Sequence, residues 1–116
     1  MDRPAALTSL AVGDIFHAEG DTGASLICLI TAITDTAIQA RTVTSQISLD
    51  FDRQTGIGGW GKGTCVVDSI APLPSEIRDA LLGLDRRYAV GGDPKLLDAE
   101  KRALVFVGSF YAANPI

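Results

Sequence analysis

The segment from Gly56 to Lys62 has the residue types and spacing with which a phosphate-binding loop holds a nucleotide. It reads G-x-x-x-x-G-K, but Gly63 follows where the motif needs a serine or threonine hydroxyl for magnesium, and Thr64 comes one place late. The next residues, TCVVDSI, are rich in β-branched side chains and predict a strand, whereas a phosphate loop opens a helix. We therefore predict no nucleotide binding and interpret these glycines as a flexible loop between two strands.

The other side chains that could do chemistry do not combine into a recognisable site. His17 is the only histidine, and no spaced cysteine or histidine ligand motif accompanies it. No serine or cysteine lies in a recognisable nucleophile elbow that His17 could serve. Asp50 and Asp52 alternate with apolar residues, which places them on the solvated face of a strand. We predict no catalytic residue, no metal site and no cofactor, and interpret His17 as a strand histidine with satisfied hydrogen bonds.

Three residues of the stretch 51–64 are candidates for contact with a partner: Arg53, Trp60 and Lys62. Trp60 has glycines on both sides and few local apolar neighbours that could bury it, and tryptophan is enriched in interaction hot spots. We predict that Trp60 contributes more to recognition than to folding. The alternative is that it folds back as a lid on the mouth of a barrel.

Length and composition indicate one globular domain spanning residues 1–116, because 47% of the residues are hydrophobic and 21% are charged. Residues 1–70 carry four Lys or Arg against eight Asp or Glu, whereas residues 71–116 carry six of each sign. Because the acidic front half repels phosphate backbones, nucleic-acid binding is disfavoured.

The chain shows no signs of export or membrane insertion. Its start, MDRPAALTSLAVGD, has no basic segment leading into an apolar run, and no apolar stretch reaches the roughly 18 to 20 residues that span a bilayer. Cys28 and Cys65 lie inside apolar runs and are interpreted as small buried hydrophobic residues, with a disulfide as the alternative. We expect a cytoplasmic protein.

Short strand-like segments separated by turns fill residues 12–70: GDIFHAE, SLICLITAI, TAIQARTV, QISLDFD and TCVVDSI. Five such strands in sequence order predict a small antiparallel SH3-like barrel. An OB-like barrel is the alternative, but it needs a helix after the third strand, for which Thr44 and Ser45 leave no room. The segment 25–33 is apolar on both faces, with one face formed by Leu26, Cys28 and Ile30 and the other by Ile27, Leu29 and Ile33. This strand must therefore be covered on two sides.

Residues 75–114 are predicted to form a helical tail that supplies this cover. Ser75 is the expected N-cap of a first helix, whose apolar stripe is Ile77, Ala80, Leu81, Leu84 and Tyr88. Asp98 is the expected cap of a second helix over residues 99–113. The predicted fold class is therefore α+β, mainly β with two C-terminal helices packed on the barrel.

The order of the segments FDRQTG, APLPSEI, LLGLDRRY and AEKRALVFV resembles that of small conserved bacterial proteins of unknown function. The resemblance covers the last two thirds of the chain and implies no activity, cofactor or site residue. The expected function is a non-enzymatic cytosolic interaction or regulatory module that binds a protein partner or another copy of itself. A small-barrel nucleic-acid-binding protein is one alternative, and a small-molecule-binding protein or an enzyme without a recognisable motif is another.

Overall fold

The computed structural model describes residues 2–116, which form a β-barrel with one N-terminal and two C-terminal helices. The strands are β1 (Ile15–Gly20), β2 (Ser25–Ile33), β3 (Ala37–Thr42), β4 (Ser48–Asp52), β5 (Ile57–Trp60) and β6 (Gly63–Ser69). The helices are α1 (Arg3–Thr8), α2 (Ser75–Ala89) and α3 (Asp98–Ala113). The predicted class, mainly β with C-terminal helices, is confirmed.

The strands form a closed antiparallel barrel in sequence order, with β6 pairing back onto β1. The predicted number of five strands is wrong, because the glycine-rich segment 57–60 is not a loop but the strand β5. A side chain at Gly58 would place its Cβ 2.7 Å from the carbonyl oxygen of Asp50 and 3.0 Å from the ring of Phe51. Glycine is therefore what lets β5 approach β4, and this extra strand closes the barrel without leaving an exposed edge.

The interior of the barrel is filled by the inward side chains of the strands. Phe16 and Phe51 meet edge to face with ring centroids 5.2 Å apart, and Leu26, Cys28 and Ile30 of β2 point into the same cluster, as expected. Ile33 was assigned to the opposite face of β2, but it packs against the interior cluster. The register of β2 against β3 shifts between Ile30 and Ala32, and this bulge reverses the facing of the residues beyond it.

A second apolar cluster lies between the outer face of the barrel and the two C-terminal helices. Leu29 of β2 and Val43 are buried there against Leu81, Leu84 and Val107. All five residues of the predicted stripe on α2 belong to this cluster, so the helical cover over β2 is confirmed. Arg41 on β3 adds an ion pair with the buried Asp85 of α2, which ties the barrel to the tail.

The starts of α2 and α3 differ from the predicted caps. The first helical hydrogen bond of α2 runs from Arg78 N–H to Pro74 O, so Ser75 is the first helical residue rather than the N-cap. In α3 the cap position is Leu97, and Asp98 is the first helical residue. The Glu100 carboxylate accepts a hydrogen bond from the Leu97 N–H at 2.8 Å. The start of α3 is therefore held by Glu100 and not by the expected cap, Asp98.

The short helix α1 was not anticipated and packs against one end of the barrel. Leu7 and Leu10 are buried in the interior cluster, and Arg3 Nη1 donates to Val67 O of β6 at 2.5 Å. Asp2 caps the helix by accepting the Ala5 N–H at 2.8 Å. Its sequence, RPAALT, is too short to show a helical pattern of apolar residues. The helix could therefore not be predicted from the sequence and is seen only in the folded structure.

Candidate functional site

The structure separates the three residues that were singled out as partner contacts. Trp60 and Lys62 lie at the end of the barrel where the β1–β2 and β5–β6 connections meet. Arg53 follows β4 at the opposite end, where its Nη1 donates to Thr34 O at 3.0 Å. One ligand of ordinary size therefore cannot contact Arg53 together with the other two.

Trp60 is half-buried at its end of the barrel, in the position that the lid alternative describes. Its indole packs against the interior cluster and lies over Gly20, where an added Cβ would be 2.9 Å from Trp60 Cδ1. The next residue, Gly61, has φ of +58° in the two-residue turn that leads from Trp60 to Gly63. Lys62 in that turn is exposed. The segment 56–62 thus contains β5 and the hairpin turn that leads into β6. It does not lead into the helix N-terminus that a phosphate loop requires.

A shallow groove of about 390 Å³ runs beside this hairpin on the outer face of β1, β5 and β6. Its apolar part includes Ile57, which is 50% exposed, and Val66, which faces Ile57 across the β5–β6 pair. Glu19 and Asp21 provide carboxylates, and the groove is completed by Gly20, Thr64 and Cys65. No lysine or arginine lines it. The arrangement can bind an apolar side chain next to a cation.

A larger groove of about 420 Å³ lies between the N-terminal segment and the connection from β6 to α2. Its charged side chains, Asp14 and Arg78, are already engaged with the backbone. Asp14 accepts the Ala11 N–H at 2.9 Å, and Arg78 donates to Gly13 O at 3.0 Å. Because these groups hold the N-terminal segment in place, this groove offers a ligand mainly apolar contact.

His17 takes part in a side-chain network that the sequence did not reveal. Its Nδ1 lies 2.6 Å from Asp68 Oδ1, and its Nε2 lies 2.6 Å from Ser25 Oγ. The ring of Tyr111 packs on the imidazole with centroids 5.3 Å apart. The prediction that the hydrogen bonds of His17 are satisfied is confirmed. The period of two along β1 and β2 could have placed His17 and Ser25 on one face, but no local signal identified Asp68 as their neighbour.

The two cysteines are free and buried in the barrel interior. Burial raises the pKa of the Cys28 thiol and of the Cys65 thiol, so both stay protonated and unreactive at neutral pH. Among residues 2–116 no group of three or more histidine, cysteine or acidic side chains is placed to hold a metal ion.

No protein-family model matches this chain, and neither does any curated protein or solved structure. The resemblance to small conserved bacterial proteins stays a prediction. Over residues 2–116, none of the helices has the length and apolar character needed to cross a membrane.

Proposed function

We propose that this chain is a cytoplasmic protein-interaction module whose function is binding rather than turnover. The observation that carries the proposal is the groove beside the β5–β6 hairpin, which combines the exposed Ile57 and the half-buried Val66 with the carboxylates of Glu19 and Asp21. Two free, buried thiols fit a reducing compartment such as the cytoplasm.

The chemistry of the groove favours a protein segment that carries a lysine or arginine next to an aliphatic or aromatic side chain. Asp21 accepts the Thr64 N–H through Oδ2 at 3.2 Å, which fixes its carboxylate at the edge of the groove. Glu19 is exposed on β1, directly opposite Val66 of β6. Carboxylates at the rim of an apolar surface attract cationic partners and repel nucleic-acid backbones. A basic and apolar peptide therefore fits this site better than an oligonucleotide does.

A degenerate peptide library displayed on beads tests the proposal. The wild-type protein should enrich peptides with a basic residue adjacent to an apolar one. Glu19→Gln should weaken the preference for the basic residue, and Ile57→Ser should weaken the preference for the apolar one. Asp50→Asn and Val105→Ser are matched controls, because Asp50 and Val105 are exposed on β4 and α3, outside the groove.

Enrichment that the groove variants leave unchanged would contradict the proposal, as would the absence of any enrichment. Binding of single-stranded oligonucleotides in place of peptides would favour the nucleic-acid alternative instead.

A further inference from the structure

Ser25, His17 and Asp68 form a continuous hydrogen-bonded chain on the outside of the barrel. They project from the adjacent strands β2, β1 and β6, and both links, Ser25 Oγ to His17 Nε2 and His17 Nδ1 to Asp68 Oδ1, measure 2.6 Å. An imidazole that touches a hydroxyl through one nitrogen and a carboxylate through the other has the arrangement that activates a serine. We propose that Ser25 is a nucleophilic site that accepts an acyl group from an activated carboxylic ester, with His17 as general base and Asp68 as the positioning residue.

A β-bulge brings the carboxylate to the histidine. His17 pairs with Ser69 and Ala18 pairs with Val67, so Asp68 is the extra residue of β6 at this point of the β1–β6 ladder. A bulge turns its side chain away from the regular pleat, and such irregularities are over-represented beside active sites. On the other side of β1, Ser25 lies diagonally across from His17, since the β1–β2 register pairs Glu19 with Ser25 and His17 with Ile27.

The imidazole is held in one orientation while the hydroxyl stays accessible. With the Nδ1–H of His17 donating to Asp68, the Nε2 lone pair is left to accept the hydroxyl proton of Ser25. Tyr111 of α3 packs on the ring and limits its rotation. The His17 side chain is 12% exposed and that of Asp68 is 35% exposed, whereas Ser25 is an exposed residue. An ester can therefore reach the nucleophile while its base is shielded from most of the solvent.

In the proposed reaction, Ser25 Oγ attacks the acyl carbon of the ester and forms a new C–O bond. His17 Nε2 takes the hydroxyl proton, and the bond between the acyl carbon and the leaving alkoxide or phenoxide breaks. The leaving group takes a proton from the imidazolium or departs as the anion, in which case the imidazolium proton passes to water. The product is an O-acyl serine, and no oxidant or reductant is needed. This reaction is independent of the groove beside β5 and β6.

The reagent for the test is p-nitrophenyl acetate, with nitrophenolate release followed by absorbance and the acylated residue located by peptide mass mapping. The wild-type protein should be acetylated at Ser25. Loss of a general base costs about 100-fold or more, so His17→Asn should reduce the rate at this position by that order. Asp68→Asn should reduce the rate while leaving the melting temperature of the protein nearly unchanged. Ser25→Ala should abolish modification of the peptide, and Ser48→Ala is the matched control because Ser48 is an exposed strand serine on β4.

If His17→Asn does not fold, Ser25→Cys keeps the test decisive, because the thiol at this position should also be acetylated faster than free cysteine at the same pH. The proposal is overturned if acetyl groups are found only on lysines or the N-terminus, or if Ser25→Ala releases nitrophenolate as fast as Ser48→Ala. It is also overturned if a folded His17→Asn variant is acetylated at Ser25 as fast as the wild-type protein.

Discussion

Replacing Asp85 with asparagine tests how strongly the barrel and the helical tail stabilise each other. Asp85 is 2% exposed, and its two carboxylate oxygens accept hydrogen bonds from Arg41 of β3. The distances are 3.0 Å from Nε to Oδ1 and 2.7 Å from Nη2 to Oδ2. Gln46 Nε2 also donates to Oδ1 at 2.8 Å, which helps to hold Gln46 at φ of +56°. One carboxylate thus joins α2 to β3 and to the β3–β4 connection.

The asparagine keeps one acceptor oxygen but turns an amide N–H towards the second donor of Arg41. A hydrogen bond to a charged group contributes about 1.5 to 3 kcal/mol, and removing one partner of a buried ion pair costs about 3 to 5 kcal/mol. The Arg41 side chain is 37% exposed, so its charge can be rehydrated and the cost falls below that upper range. We expect Asp85→Asn to lower the free energy of unfolding by about 2 to 3 kcal/mol.

Urea denaturation followed by circular dichroism measures this loss as a lower midpoint at unchanged slope. The matched control is Asp79→Asn, because Asp79 is an exposed carboxylate on the same helix, and its effect should stay within about 0.5 kcal/mol. A loss below about 0.5 kcal/mol for Asp85→Asn would refute the reasoning, since the ion pair would then add nothing to the contact between barrel and tail.

The ion pair between Arg41 and Asp85 also makes the effect of Asp85→Asn on the free energy of unfolding depend on pH. The Arg41 hydrogen bond, against the opposing effect of burial, lowers the pKa of Asp85 below its ordinary value. A carboxyl with a depressed folded-state pKa contributes stability that is present above its unfolded pKa of about 3.9 and is lost as the pH falls through the folded-state value. The stability difference between wild type and Asp85→Asn should therefore shrink below about pH 4. A difference that stays constant through this acidic range would show that the charge of Asp85 is not its source.

Two further predictions concern the cover of the barrel. Trp60→Ala should lower the free energy of unfolding by about 2 kcal/mol, roughly half the cost of truncating a fully buried tryptophan, because the indole over Gly20 is only half-buried. A change in urea midpoint equivalent to less than about 0.5 kcal/mol would assign Trp60 to recognition alone. Deleting residues 98–116 removes three buried apolar side chains, Ala103, Val107 and Tyr111, together with the hydrogen bond from Ser69 Oγ to Asn114 O. The stabilisation lost in this way approaches the total of about 5 to 15 kcal/mol that stabilises a small domain. The fragment 1–97 should therefore show no cooperative thermal transition. A soluble 1–97 fragment that melts sharply would contradict this prediction.

The sequence by itself determined the features that depend on local periodicity. Alternation along residues 25–33 separated Leu26, Cys28 and Ile30, which fill the barrel, from Leu29, which meets the helices. The helical spacing on α2 identified its buried stripe in the same way. These patterns could be predicted because a strand repeats every two residues and a helix every 3.6, so the residues that share a face are fixed by their spacing alone.

Only the tertiary structure decided the features for which the local pattern of apolar and polar residues is absent or interrupted. The segment 57–60 has too few side chains to show an alternation, and it is a strand because the glycine at position 58 lets it pack on Asp50 and Phe51 of β4. The hydrogen-bonded chain from Ser25 through His17 to Asp68 depends on a bulge in the pairing of β6 with β1, and His17 and Asp68 lie 51 positions apart in the sequence. A bulge is a mismatch between two paired strands, so it exists only once both strands have met.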